Sequence, residues 1–116
     1  MKFKTSNLLI GVKGEGLAVK YLKGLGYKIL EQNYKTKMGE IDIIAKDADR
    51  IVFVEVKSRS TLSKGFGREA VTQDKIRHIR FSATMYLKRK NLLEEKIRFD
   101  IIEIVDDEIN HLKSVF

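Results

Sequence analysis

The fold is decided by Glu40-Ile41-Asp42-Ile43-Ile44-Ala45-Lys46, the polar Asp47-Ala48-Asp49-Arg50, and Ile51-Val52-Phe53-Val54-Glu55-Val56-Lys57. Both apolar runs are short, rich in β-branched residues and bounded by polar punctuation, which predicts two strands joined as a hairpin. With residues 47–50 as the loop, Lys46 pairs with Ile51, Asp42 comes opposite Glu55, and Glu40 comes opposite Lys57. These four residues then share one sheet face, because side chains alternate along a strand. Ile41, Ile43, Ala45, Val52, Val54 and Val56 form the other face, a candidate core. A loop one residue longer or shorter would break this register.

Two carboxylates about 5 Å apart repel by about 3 kcal/mol at an effective dielectric near 20. Lys57 supplies one compensating charge but also faces Glu40. A hard divalent ion, held by carboxylates together with water and substrate phosphate, resolves the conflict best. The alternative is a ladder of salt bridges on an exposed strand face, with no ligand.

Working outward, apolar residues at Leu8, Val12, Val19 and Leu22 predict a helix over 7–24, with Ser6 as its cap. Glu15 interrupts that stripe between Gly14 and Gly16, which each cost a helix interior about 1 kcal/mol relative to Ala. Small residues there let another backbone or a ligand approach the carboxylate. Tyr27–Tyr34 reads as a strand, Ser58–Gly67 as a loop containing Gly65-Phe66-Gly67, and Thr72 as the cap of a helix reaching Lys90. Ile76, Ile79, Ala83, Tyr86 and Leu87 mark that helix's buried face, Ile97–Val105 a further strand, and Ile109–Val115 a short closing segment. The predicted order is αβββαβ. No repeat or linker divides the 116 residues, so a single domain, 1–116, is expected.

Composition narrows the chemistry. The absence of cysteine excludes disulfide scaffolds, thiolate metal sites and cysteine nucleophiles. No phosphate-binding P-loop, H-E-x-x-H motif or credible serine–histidine pair occurs. The apolar runs are too short for a membrane span or a signal peptide, so a cytoplasmic location with no membrane partner is expected. The net charge of +7 is uneven: +6 over residues 1–38, −3 over 39–56, +8 over 57–98 and −4 over 99–116. Basic blocks flanking an acidic island suit a polyanionic partner. Arg59, Lys64, Arg68, Lys75 and Arg77, just beyond Lys57, are the candidate nucleic-acid contacts. His78 reads as a helix-face residue and His111 as remote from any chemistry. Lys88-Arg89-Lys90 complements a helix C-terminus, with nucleic-acid contact as a second reading.

Asp42 followed by Glu55-Val56-Lys57 resembles the Asp…Glu-x-Lys site of the restriction-endonuclease-like superfamily, which includes archaeal-type Holliday junction resolvases. More closely, the chain resembles the YraN family (UPF0102) of small predicted endonucleases. The likeness is carried by Gly14-Glu15, the Ala18…Tyr21-Leu22 helix, Gly26-Tyr27, Gly39-Glu40-Ile41-Asp42, Val52–Arg59, Ala70-Val71, Lys75 and Arg98-Phe99-Asp100. It implies a restriction-endonuclease-like α/β core, with a mixed central sheet flanked by helices. It further implies Asp42 and Glu55 as ligands of Mg²⁺ or Mn²⁺, Lys57 as the catalytic lysine and Glu15 as a further acidic contributor. The expected function is metal-dependent phosphodiester hydrolysis of DNA, with a homodimer as one option because related nucleases pair to cut two strands. The alternatives are a non-catalytic nucleic-acid-binding module on the same fold and a purely structural partner protein.

Overall fold

The computed structural model describes residues 6–59 and 72–116, and of residues 6–13 the helical backbone alone. Its elements are α1 (Ser6–Gly24), β1 (Lys28–Thr36), β2 (Gly39–Asp47), β3 (Arg50–Arg59), α2 (Gln73–Arg89), β4 (Lys96–Val105) and β5 (Glu108–Leu112). This is the expected mixed α/β order, with the closing segment realised as a fifth strand. The sheet order is β1-β2-β3-β4-β5. β3 and β4 run parallel and the other pairs antiparallel. A parallel neighbour cannot be reached through a tight turn, so the chain crosses between β3 and β4 by way of α2.

The predicted hairpin register holds at its closed end, with Lys46 opposite Ile51, Ala45 opposite Val52 and Ile43 opposite Val54. The strands run one residue further into the turn than expected. Asp47 pairs with Arg50, which leaves Ala48-Asp49 as the loop, with Ala48 at φ 56°. Both sides shorten the loop together, so no side chain changes face. Asp106 and Asp107 join β4 to β5 with φ 49° and 73°, a left-handed pair that suits a two-residue hairpin loop.

One expectation is corrected: β2 and β3 bury both faces, where a single core face was predicted. Ile43, Ala45, Val52 and Val54 pack with Ala18 and Leu22 of α1. Ile41, Ile44, Ile51 and Phe53 pack with Ile79, Ala83, Tyr86 and Leu87 of α2. A central strand covered by a helix on each side reads as a nearly continuous apolar run, because neither face meets water. α2 begins as predicted: Thr72 Oγ1 accepts from the Lys75 amide at 3.1 Å, satisfying one of the helix's free first-turn donors.

The α1 layer also contains a buried ionic cluster. The Asp100 carboxylate is fully buried beside Val54 and accepts two bonds from Arg98, at 2.9 Å each. His111 Nε2 lies 2.7 Å away and the Ser114 amide donates at 3.1 Å. Arg98 also reaches Asp47 and the Tyr27 hydroxyl, while His111 Nδ1 meets the Tyr21 hydroxyl at 3.0 Å. Burial pushes the Asp100 carboxyl upward, but the bonds from Arg98, His111 and Ser114 outweigh it and hold the carboxyl below its ordinary range. His111 thus ties β5 and the C-terminal segment to the sheet.

Candidate active site

Beyond Ile43 and Val54 the two central strands part. β2 stays on β1 as far as Gly39 opposite Thr36, while β3 stays on β4 as far as Arg59 beside Val105. A fork in a sheet leaves backbone donors that the ladder would have satisfied. Asp42 sits at this fork and takes one of them: the Val56 amide donates to its Oδ2 at 2.8 Å. Asp42 and Glu55 are therefore neighbours across a fork, which corrects the direct cross-strand pairing expected. The alternation slips at the same point, since Ile41 packs in the α2 layer and Ile43 in the α1 layer.

Three more acids converge here from different elements. Glu55 projects from β3 into the α2 layer, and its Oε2 pairs with Lys75 Nζ at 2.9 Å. Lys75 stands in the capped first turn of α2, so the Thr72 cap also fixes this ion pair. Glu40 lies on β2 two residues before Asp42. Glu15 arrives from α1, which is pressed against β3 at Gly14: a Cβ there would sit 2.6 Å from Ser58 Cβ and Oγ. The expected close approach is thus found at Gly14, whereas a Cβ on Gly16 would meet open space.

Asn33 joins two of these acids. It lies on β1 across from Asp42, between the Gln32–Ile43 and Tyr34–Ile41 pairs, with φ 52°. Asparagine tolerates that left-handed backbone better than most residues. With its amide nitrogen turned inward, it donates to Glu15 Oε1 at 3.1 Å and Glu40 Oε2 at 2.9 Å. Sequence reasoning missed Asn33, whose signal was an amide on the strand facing Asp42.

The electrostatics follow from this crowding. Burial foremost, then the Glu55 carboxylate, push Asp42 from its ordinary 3.8 to about 7; Glu15 and Glu40 add to this, and the Val56 bond opposes it. Glu15 is also raised, by burial and then by Glu40, with partial relief from Asn33. A cleft of about 420 Å³ opens onto Asp42, lined among others by Glu40, Glu55, Lys75, His78 and Ile79. His78, a helix-face residue by its sequence position, lines this cleft. Its place three positions after Lys75 puts it on the same helix face, which was the available signal.

The remaining predicted residues divide. Lys57 follows Glu55 on β3, half-buried beside Glu103 of β4. Among the described residues it forms no ion pair with Glu40; the cation on the cluster is Lys75. Arg59 ends β3, away from the cleft lining. Arg77 is exposed on α2 and paired with Asp74. Lys64, Arg68 and the Gly65-Phe66-Gly67 loop lie outside the described residues. Among the described residues no three carboxylates or imidazoles form a finished metal cage, because Glu55 turns to Lys75 while Glu15 and Glu40 turn to Asn33.

Comparison with known proteins gives the family. The description "Uncharacterised protein family UPF0102" matches residues 14–104. The chain belongs to the UPF0102 family. A UPF0102 protein of Clostridioides difficile is 49% identical over 105 residues, covering 89% of this chain and 92% of that one. One from Persephonella marina is 43% identical over 106 residues, 91% of each chain. One from Geotalea daltonii is 43% identical over 118 residues, covering 97% and 93%. Among solved structures, the crystal structure of SSO0001 overlaps 95% of this chain and 52% of its own, at 16% identity and a TM-score of 0.47. The UPF0102 match spans Glu15, Asn33, Asp42, Glu55, Lys57 and Lys75 together. No helix among the described residues is long and apolar enough to cross a membrane.

Proposed function

We propose that this UPF0102 protein hydrolyses phosphodiester bonds in DNA with the help of Mg²⁺ or Mn²⁺. The observation that carries the reading is Asp42: a partly buried carboxylate at the sheet fork, pushed to about 7 by burial and by three neighbouring acids. A carboxylate shifted by burial and by neighbouring acids, set in a cleft, is the pattern of a functional site.

The donor set fits a hard divalent ion. It offers only oxygens, Asp42 keeps Oδ1 free of the Val56 bond, and Glu55 keeps Oε1 free of Lys75. Asp42 and Glu55 would hold the ion, with Glu15 at its margin. Such an ion, when bound, polarises a phosphodiester and lowers the pKa of a water. The protein's own residues supply the rest. Lys57 offers a flexible point charge to the phosphate, and Lys75 a second one at the cleft wall. Asn33 orients Glu15 and Glu40 through its amide. The Val56 amide fixes the rotamer of Asp42.

A second reading is favoured by one observation. Lys75 already neutralises Glu55, as suits a nucleic-acid-binding module that has no turnover. A cleavage panel separates the two. Labelled duplex, single-stranded, flapped and four-way-junction DNA are incubated with Mg²⁺ or Mn²⁺ and wild type, Glu55→Ala or Lys57→Ala. Metal-dependent cutting that disappears in both variants supports the nuclease. Binding without cutting, unchanged in both variants, supports the module.

A further inference from the structure

A second cleft, of about 450 Å³, opens at the other end of α2. Its rim carries Lys28, Lys46 and Lys90, its lining includes Ile51 and Leu92, and Glu31 is its one acid. Lys28 and Lys46 are direct cross-strand partners on β1 and β2. Like charges in that position destabilise a sheet pair. Among the described residues none of the three lysines has a carboxylate within ion-pairing distance. This is the inverse of the acid cluster: three lysines around a concavity against one glutamate, with no ion pair among them. Lys90 belongs to the Lys88-Arg89-Lys90 run, whose helix-dipole role explains a cation near the helix end but not two lysines facing each other on the strands beside it.

We propose that this cleft binds backbone phosphates of a nucleic-acid strand and anchors the flank of the substrate processed at the Asp42–Glu55 fork. The inference rests on the reading above and names where the substrate lies. Fifteen residues separate Lys75 from Lys90, about 22 Å at 1.5 Å per helical residue. That span matches six or seven phosphates at about 3.4 Å per base pair. Both clefts lie along α2, on the same side of the sheet, so one strand following the helix meets both. Lysine suits the task as a compact charge that contacts phosphate without reading sequence.

The test compares wild type, the triple variant Lys28→Gln/Lys46→Gln/Lys90→Gln, and the control Lys20→Gln/Lys23→Gln/Lys113→Gln. The control removes the same charge at exposed positions outside the cleft lining. Binding to a duplex of about 24 base pairs is measured without divalent ions across a salt series. Each lost phosphate contact reduces the salt slope by about 0.9, so three reduce it by about 2.7. Wild type should then lose about 40-fold more affinity than the triple variant between 50 and 200 mM salt, while the control keeps nearly the wild-type slope. A triple variant with the wild-type slope, or a control that falls equally, overturns the proposal. So does saturable binding of inorganic phosphate, or of anionic phosphatidylglycerol vesicles, that depends on these lysines while DNA binding does not. Cleavage is scored separately. A wild type that binds DNA through these lysines but never cuts refutes the nuclease and leaves the cleft standing. A protein that cuts, with a slope unmoved in the triple variant, refutes only the cleft.

Discussion

Replacing Asp42 by Asn should stabilise the protein at neutral and alkaline pH. Asn keeps an oxygen that accepts from the Val56 amide, so the substitution removes the charge and little else. In the folded chain Asp42 titrates near 7 against an ordinary 3.8. A group whose folded pKa is raised adds stability that is complete below the unfolded value and is lost as pH climbs through the folded one. A gap of about 3 pH units corresponds to about 4 kcal/mol, of which about 2.7 kcal/mol disappears between pH 5 and 8. Urea unfolding in EDTA at several pH values measures it, with the Asn variant subtracting every other titrating group. The variant should exceed wild type by several kcal/mol at pH 8, and the difference should shrink towards pH 4. A difference that stays constant with pH, or a variant less stable at pH 8, would refute the electrostatic reasoning. The proposed ion adds a second arm: Mg²⁺ at about 100 times its Kd should restore about 2.7 kcal/mol to wild type at pH 8 and nothing comparable to the variant.

Gly14→Ala places a methyl 2.6 Å from Ser58, and overpacking of this kind costs about 1–3 kcal/mol against a helix-propensity gain of about 1. A double-mutant cycle with Ser58→Gly should recover the loss, and an additive pair would refute the contact. Asp100→Asn leaves Arg98 with Asp47 as its remaining carboxylate partner and should cost about 1.5–3 kcal/mol at pH 7, read by thermal or urea unfolding. Because the folded Asp100 pKa is depressed, that contribution exists above the unfolded value and fades as pH falls through the folded one, so the two proteins should converge in strong acid. Lys75→Met releases Glu55 from its ion pair. Calorimetry should then show tighter Mg²⁺ binding together with weaker DNA binding, and an unchanged Mg²⁺ affinity would count against Glu55 as a ligand.

Element types and the closed end of the hairpin were legible in the sequence because they depend on local signals. Alternation, helical spacing and the Thr72 cap each act within a few residues. The fork was not legible, because nothing in residues 40–57 says where β2 exchanges β3 for its own path along β1. That choice is tertiary: β3 continues on β4, a strand about 45 positions later in the chain, while Asp42 replaces the missing ladder bond. The second core face was also hidden, since Ile44 and Phe53 share their strand face with the charged residues until α2 covers them. Glu15 could be singled out because a charge in an apolar helical stripe is a local anomaly. Asn33 and His78 break no local rule, and their signals are relational: one lies across β1–β2 from Asp42 and the other one helical turn after Lys75.

Two aspartates of this sheet, Asp100 fully buried and Asp42 partly buried, provide an internal comparison. Asp100 and Asp42 occupy the same fold, and burial acts on both carboxyls in the same upward direction. At Asp100 the fold supplies Arg98, His111 and the Ser114 amide, and the carboxyl ends below its ordinary range. At Asp42 it supplies one backbone amide and then adds Glu55, Glu15 and Glu40, and the carboxyl rises to about 7. A sequence able to place arginine beside one aspartate in its sheet has the means to do so beside the other. The chain instead brings carboxylates from α1, β2 and β3 to the Asp42 fork and places its lysines at the margin. Selection for stability alone would favour the Asp100 arrangement at both positions. The uncompensated carboxylates at Asp42 are what the proposed cation would relieve, and the pH and Mg²⁺ dependence of Asp42→Asn tests that argument directly.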